Sequence, residues 1–230
     1  MRERRRAIGV LASLAMALAW AAAAWLGQAP ATNAALQPDL VEIVTLDPTV
    51  GLDIRYATAN NFTGRILYKE ARAFLQRPAA EALVRAHRAL KEKGLGIVIW
   101  DAYRPWRVTK QLWDDTPVEK REFVANPKEG SRHNRGCAVD ATLRDLRTGR
   151  ELDMPSAYDE MGEAAYPDYA GSTSEARAHR DLLRTAMENE GFKVRFNEWW
   201  HFDFKGWEDY PVLDIEFSDI GKPDGKKRGG

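Results

Sequence analysis

The chain has 230 residues, of which 44% are hydrophobic and 30% charged, enough apolar material for a globular domain with a real core and too much for a disordered polymer. Lys and Arg together number 34 and Asp and Glu 34, so the net charge is zero, and no basic stripe interleaved with aromatics runs along it. A polyphosphate partner is therefore excluded as an expectation, and no nucleic-acid role is predicted.

The first 34 residues differ from the rest. Arg2, Arg4, Arg5 and Arg6 precede an uncharged, alanine- and leucine-rich run from Ala7 to about Leu26, followed by small residues at Gly27-Gln28-Ala29 and Thr32-Asn33-Ala34. This is the pattern of a secretory signal peptide, with an uncleaved anchor as the rival reading. The segment holds four Arg and one Glu, so its removal subtracts 3 and leaves a mature chain near −3. The predicted product is an exported, periplasmic protein with no membrane association after cleavage. With Cys137 as the lone cysteine, no internal disulfide can form, and the core or a metal must hold the fold.

"PDLVEIVTL" reads as an opening strand, and "GLDIRYATANNFTG" alternates briefly before a turn at Thr63-Gly64. From Pro78 to Lys93 the pattern is helical, with Leu83, Val84, His87 and Leu90 along one face and Gly94 as the stop. "LGIVIWDAY" is a buried strand ending at Asp101, and a short helix is predicted around Val108 to Asp114. "GCAVDATL" is another strand, with Ala138, Asp140 and Thr142 on one face. Between Arg144 and Gly171 the chain turns polar and reads as a long loop or lid. "TSEARAHRDLLRTAMENEGF" is a second long helix with a Ser/Thr start and a Gly191 stop, and "FKVRFNEWWHFDFKGW" is aromatic and strand-like. The tail from 221 to 230 reads as disordered. Helices and strands intermingle without a glycine-rich strand-to-helix turn, so the fold class is α+β, a mostly antiparallel sheet flanked by helices.

His133, Asp140 and His201 stand out as a set. Two imidazoles and a carboxylate suit a catalytic zinc, which takes three protein ligands and leaves one position open. Such a site needs a separate base, and Glu198 lies three residues before His201. On an ideal strand these two point to opposite faces, so the chain must bend, or begin its strand, near Glu198. Each residue alone has a bland reading: a solvated histidine, an aspartate paired with an arginine, an aromatic strand filling a core. Together they reverse the odds, because Asp140 in an apolar strand demands a positive partner.

These residues also carry a resemblance. "SRHNRGCAVD" with "EWWH" is similar to the paired zinc motifs of the D-alanyl-D-alanine dipeptidases, and "DIRYATANNFTG", "WDAYRPW" and "MPSAYDEMG" resemble the same family, from about Leu40 to Phe204. The resemblance implies a Hedgehog/D,D-peptidase-like zinc domain over 35–220. It implies one Zn2+ held by His133, Asp140 and His201, with Glu198 as general base and Arg104 stabilising the oxyanion. Asp101 would orient Arg104 and is grouped with Asp159, Ser131 and Tyr56 as substrate-binding; Asp159 would take the free ammonium of a small D,D-dipeptide, although a capping aspartate in a loop is an equally good reading of it. Asn61 is expected to help close the site from the first loop. The rivals are a D,D-carboxypeptidase or L,D-type peptidase acting on whole muropeptides and a non-catalytic zinc module, and retention of Glu198 and Arg104 speaks against the second. His87 is expected in the core, His179 in solvent and Cys137 as a small buried residue. Trp100, Trp106, Trp113, Trp199 and Trp200 are expected to form core and pocket wall.

Overall fold

A computed structural model describes residues 35–222. The predicted leader lies outside the described residues, as does the tail beyond 222. Eleven regular elements follow in order: β1 (Leu40–Glu42), α1 (Ile43–Leu46), β2 (Gly51–Leu52), β3 (Phe74–Gln76), α2 (Arg77–Lys91), β4 (Leu95–Asp101), α3 (Trp106–Asp115), β5 (Ala138–Asp145), α4 (Ser174–Asn189), β6 (Phe192–Arg195) and β7 (Glu198–Phe204). The central sheet has the order β2-β4-β5-β7-β6; β2 runs parallel to β4 and every other pairing is antiparallel. A two-stranded ribbon, β1-β3, lies apart from it. The α+β class is as the sequence predicts.

Helix α2 forms where the apolar spacing placed it. Pro78 stands at its start, Leu83, Val84, His87 and Leu90 are buried, and Gly94 ends it at φ +75°, a conformation that strains any side-chain-bearing residue. Helix α4 is capped by Thr173, whose hydroxyl accepts from the Ala176 N–H at 3.1 Å. Both helices pack against the sheet and each other over a core that includes Leu83, Ile97, Ile99, Val139, Leu143, Leu183 and Phe202.

Three expectations need correction. "PDLVEIVTL" is a strand only for Leu40–Glu42 and then winds into the single helical turn of α1, where Ile43 is fully buried. There, tertiary packing overrides the strand preference of Ile and Val. The loop predicted from Arg144 starts later, because β5 continues to Asp145 and the chain folds back through an Arg144–Glu151 bridge. The final aromatic stretch is two strands, turned at Phe196-Asn197 into the β6-β7 hairpin.

Candidate active site

Antiparallel strands set residues that are directly opposite one another on the same face. Asp140 on β5 pairs with His201 on β7, and Asp101 at the end of β4 pairs with Asp140. Three polar side chains thus form a row across three strands. The register slips between Ile99 and Asp101 and again between Val194 and Arg195, one irregularity on each flank of the row. Such bulges bend a strand and re-aim its side chains. The second solves the spacing problem at Glu198. It opens β7 beside the slip, and its Oε2 lies 3.6 Å from His201 Nδ1 although the two are three residues apart.

His133 comes from outside the sheet, on a 3-10 turn (His133–Arg135) that Gly136 closes at φ +67°. A side chain at Gly136 would collide with Leu40, so the turn requires glycine. Fully buried Asn134 fastens this turn to the end of β4: its Nδ2 donates to Arg104 O and Thr109 Oγ1, both at 2.8 Å, and its Oδ1 accepts from Ser131 N. The backbone N–H of Arg104 donates to His133 O at 3.1 Å.

The ring nitrogens show what the cluster could hold. His133 Nδ1 lies 2.7 Å from the Ala102 carbonyl and must donate to it, which leaves Nε2 bare in a neutral ring. His201 Nε2 lies 2.8 Å from Asp203 Oδ1 and donates there, which leaves Nδ1 bare. These two bare nitrogens face each other at 3.1 Å, and Asp140 Oδ1 lies 3.4 Å from the first and 3.0 Å from the second. Among the described residues Asp140 Oδ1 has no hydrogen-bond partner although it is buried. Three lone pairs converging in a buried site repel unless a cation sits among them. Without a metal a proton must serve: burial lowers the His201 pKa, but Asp203 and Asp140 outweigh it and raise it to about 9. Burial likewise works against ionised Asp140, yet the charge and hydrogen bonds of imidazoles carrying that proton hold it well below the usual carboxylate range. His133, Asp140 and His201 can together hold a metal ion.

Around this centre a cleft is lined by Tyr56, Arg104, Ser131, Asp159, Glu198 and Trp200, among others. Glu198 is 7% exposed, and burial raises its pKa against the pull of Arg195 and His201. Arg104 places both Nε and Nη2 on Asp101 Oδ2, at 2.9 and 2.7 Å, while Tyr68 OH donates to Asp101 Oδ1 at 2.8 Å. Asp101 is fully buried and does not line the cleft, so its grouping with the substrate-binding residues is corrected: it positions Arg104. Tyr56 OH donates to Asp159 Oδ2 at 3.1 Å. Asp159 caps no helix; it adopts φ +59° in the loop, a left-handed conformation that aspartate tolerates better than most side-chain-bearing residues. Burial, then the nearby Asp140, pushes its pKa well up. Ser131 lines the cleft, its Oγ accepting from His133 N at 3.2 Å. Asn61 does not reach the cleft. Its amide instead binds the carbonyls of Arg55, Thr58 and Arg65 and so holds its own loop in shape.

Sequence reasoning missed four contributors. Tyr158 donates to Asp140 Oδ2 at 2.9 Å and packs its ring edge-on against Trp200 and Tyr56 and tilted against Trp100. Asp203 orients His201, a signal available in the i, i+2 spacing on one strand face. Asn134 ties the two motif loops together, and Arg195 lines the cleft beside Glu198. Of the five tryptophans expected in core and pocket wall, Trp106 and Trp113 are only half-buried and do not line the cleft. His87 and Cys137 are fully buried, and Trp100, Trp199 and Trp200 form one aromatic cluster. His179 is only half in solvent, its Nδ1 2.9 Å from Asp153 O.

The chain is similar to several known proteins. The D-alanyl-D-alanine dipeptidase of Escherichia coli (strain K12) is 36% identical over 180 residues, spanning 78% of this chain and 92% of its own. That of Enterococcus faecium is 33% identical over 186 residues, spanning 72% and 90%. Among solved structures, the LdcB LD-carboxypeptidase aligns over 76% of this chain and 73% of its own at 19% identity, with a TM-score of 0.43. A model of the D-ala-D-ala dipeptidase family matches residues 37–220. This chain belongs to the D-Ala-D-Ala dipeptidase family.

Proposed function

We propose that this chain hydrolyses the free dipeptide D-Ala-D-Ala to two D-alanines, with one zinc ion held by His133, Asp140 and His201. The observation that carries the reading is the convergence of three lone pairs within 3.0–3.4 Å in a cleft that also exposes Glu198 and Arg104. When bound, zinc supplies a Lewis acid that polarises a carbonyl and makes water more acidic.

The chain's own groups do the rest. Glu198 takes a proton from the attacking water on its carboxylate and returns it to the leaving amine nitrogen, and its raised pKa suits both transfers. Arg104, locked on Asp101, offers fixed N–H donors to the carbonyl oxygen as negative charge develops there. Asp159, steadied by Tyr56, receives the substrate ammonium; its raised pKa marks a carboxylate short of positive charge, which the ammonium supplies. An N-acylated peptide brings no such charge and is discriminated against. Ser131 offers its hydroxyl from the same cleft wall.

The test measures D-alanine release from D-Ala-D-Ala and from its N-acetyl derivative by the zinc-loaded protein. Cleavage of the free dipeptide with the acetylated one spared is expected. The reverse preference would make the protein a carboxypeptidase, and no cleavage of either would put a non-catalytic module, or a larger wall substrate, ahead. We further propose that it acts in the periplasm, in peptidoglycan turnover or D-alanine scavenging. The arginine cluster and apolar run of residues 1–34 support export, and N-terminal sequencing of protein from the periplasmic fraction tests it.

A further inference from the structure

A free dipeptide is a cation at one end and an anion at the other, about 7 Å apart when extended. The dipeptidase reading gives the cation a charged partner, Asp159, and offers the anion only the uncharged hydroxyl of Ser131. The cleft, however, is laid out in strand order. Arg104 follows β4, Asp140 stands on β5, His201 and Glu198 on β7, and Arg195 ends β6. Asp159 belongs to the β4 end, because Tyr56, which binds its carboxylate, packs its ring 5.1 Å from the Arg104 guanidinium. Neighbouring strands lie about 4.8 Å apart. The metal-ligand pair on β5 and β7 is thus flanked by an anionic acceptor one strand away on one side and by Arg195 one strand away on the other.

From this arrangement we propose that Arg195 receives the C-terminal carboxylate of the substrate. The dipeptide then lies with its amino end toward β4 and its carboxylate toward β6, and a free C-terminus becomes a second requirement for cleavage. Two arginines line the cleft where the reading needs cations. Arg104 has two nitrogens committed to Asp101, whereas Arg195 has only Nε bonded among the described residues, to Asn197 Oδ1 at 3.0 Å. A guanidinium with free Nη atoms matches a carboxylate through paired N–H bonds.

The local fold is arranged to deliver this side chain. By strand alternation Arg195 would follow Lys193 into solvent; the slip after Val194 pairs it with Glu198 instead, and only 15% of its side chain stays exposed. Asn197, fully buried, pins Nε while its own Nδ2 donates to Glu122 O at 3.1 Å. Arg195 Nε also lies 3.5 Å from Glu198 Oε2, so a role confined to tuning the base is the rival that the test must separate.

The proposal rests on the dipeptidase reading, and substrate chemistry separates the two. Hydrolysis of D-Ala-D-Ala and of its C-terminal amide is measured for the wild type, Arg195→Met and Arg195→Lys. Expected for Arg195→Met is a loss in kcat/KM of roughly 10- to 100-fold on the free acid, mainly through KM, with the amide changed far less. Arg195→Lys should fall between, since it keeps the charge and loses the fork. Equal losses on both substrates, or a loss in kcat with a displaced pH profile, would overturn the assignment in favour of base tuning. Calorimetric binding of the same pair to zinc-loaded Glu198→Ala protein, with and without Arg195→Met, needs no turnover. A wild type that binds but never cleaves would therefore defeat the dipeptidase reading, while the acid-to-amide binding ratio still decides for or against Arg195.

Discussion

His87 and His201 are both buried, at 0% and 2% exposure, and the fold treats them in opposite ways. Each nitrogen of His87 has a protein partner: Nδ1 accepts from the Ile97 N–H, and Nε2 lies 3.0 Å from Thr49 Oγ1. Burial accordingly lowers its pKa to about 4, and the ring is a neutral core residue. His201 has one nitrogen bonded to Asp203, while the other faces a second bare imidazole nitrogen and a carboxylate oxygen without a partner. Complete satisfaction marks a structural histidine, and organised dissatisfaction marks one awaiting a ligand. Residue type and burial are the same in the two cases, so only the partner count tells them apart.

That contrast can be broken by mutation, and the largest effect should come at the bare nitrogens. His201→Ala leaves two ligands, and metal analysis after gel filtration should find no stoichiometric zinc and no dipeptidase activity above background. Glu198→Gln should retain zinc while turnover falls 10²–10⁴-fold, measured as D-alanine release with metal content in parallel; loss of zinc as well would mean that Glu198 is a ligand and not the base. Asp203→Asn leaves all three donor atoms in place but weakens the hold on the His201 ring. Chelator competition should show roughly 10- to 100-fold weaker zinc binding. Tyr158→Phe removes one hydrogen bond to Asp140 and should weaken zinc by roughly tenfold in the same assay. An Asp203 or Tyr158 variant with wild-type zinc affinity would show that the sheet alone organises the donors.

Much of this was legible in the sequence, for a physical reason. The metal and hydrolytic base proposed here would restrict residue types so severely that His133, Asp140, Glu198 and His201 stand out as candidates, and Arg104 with Asp101 stands out once a resemblance is admitted. Helix α2 and strand β4 were legible because periodicity and a glycine stop agree. Tyr158 and Arg195 were not, because no chemistry demands a tyrosine or an arginine at those places until the loop and the β6-β7 slip are seen. Asn61 misled for a related reason: an amide in a motif loop can serve the substrate or the loop, and its three backbone carbonyl partners exist only in three dimensions.

The smallest effect at neutral pH should come from the satisfied histidine, and it sharpens the contrast through its pH dependence. The folded protein protonates His87 only near pH 4, whereas an unfolded chain does so near 6.5. Above pH 6.5 both states are neutral there and the residue contributes nothing to the slope. As pH falls from 6.5 toward 4 the unfolded state takes up a proton that the native state refuses, and stability declines by up to roughly 3 kcal/mol. Protonation would abolish the acceptor for Ile97 N–H; Lys91, Arg144 and Arg88 oppose the added charge, and Asp47 offsets part of it. His87→Gln, a neutral side chain at the same place, should therefore flatten the loss of denaturation midpoint between pH 7 and pH 4.5, while leaving zinc content and turnover at pH 7 unchanged in the fraction that folds. An unaltered pH slope in that variant would mean that His87 takes up its proton as readily in the fold as in the unfolded chain, and that partner count is a poor guide to which buried histidines are structural.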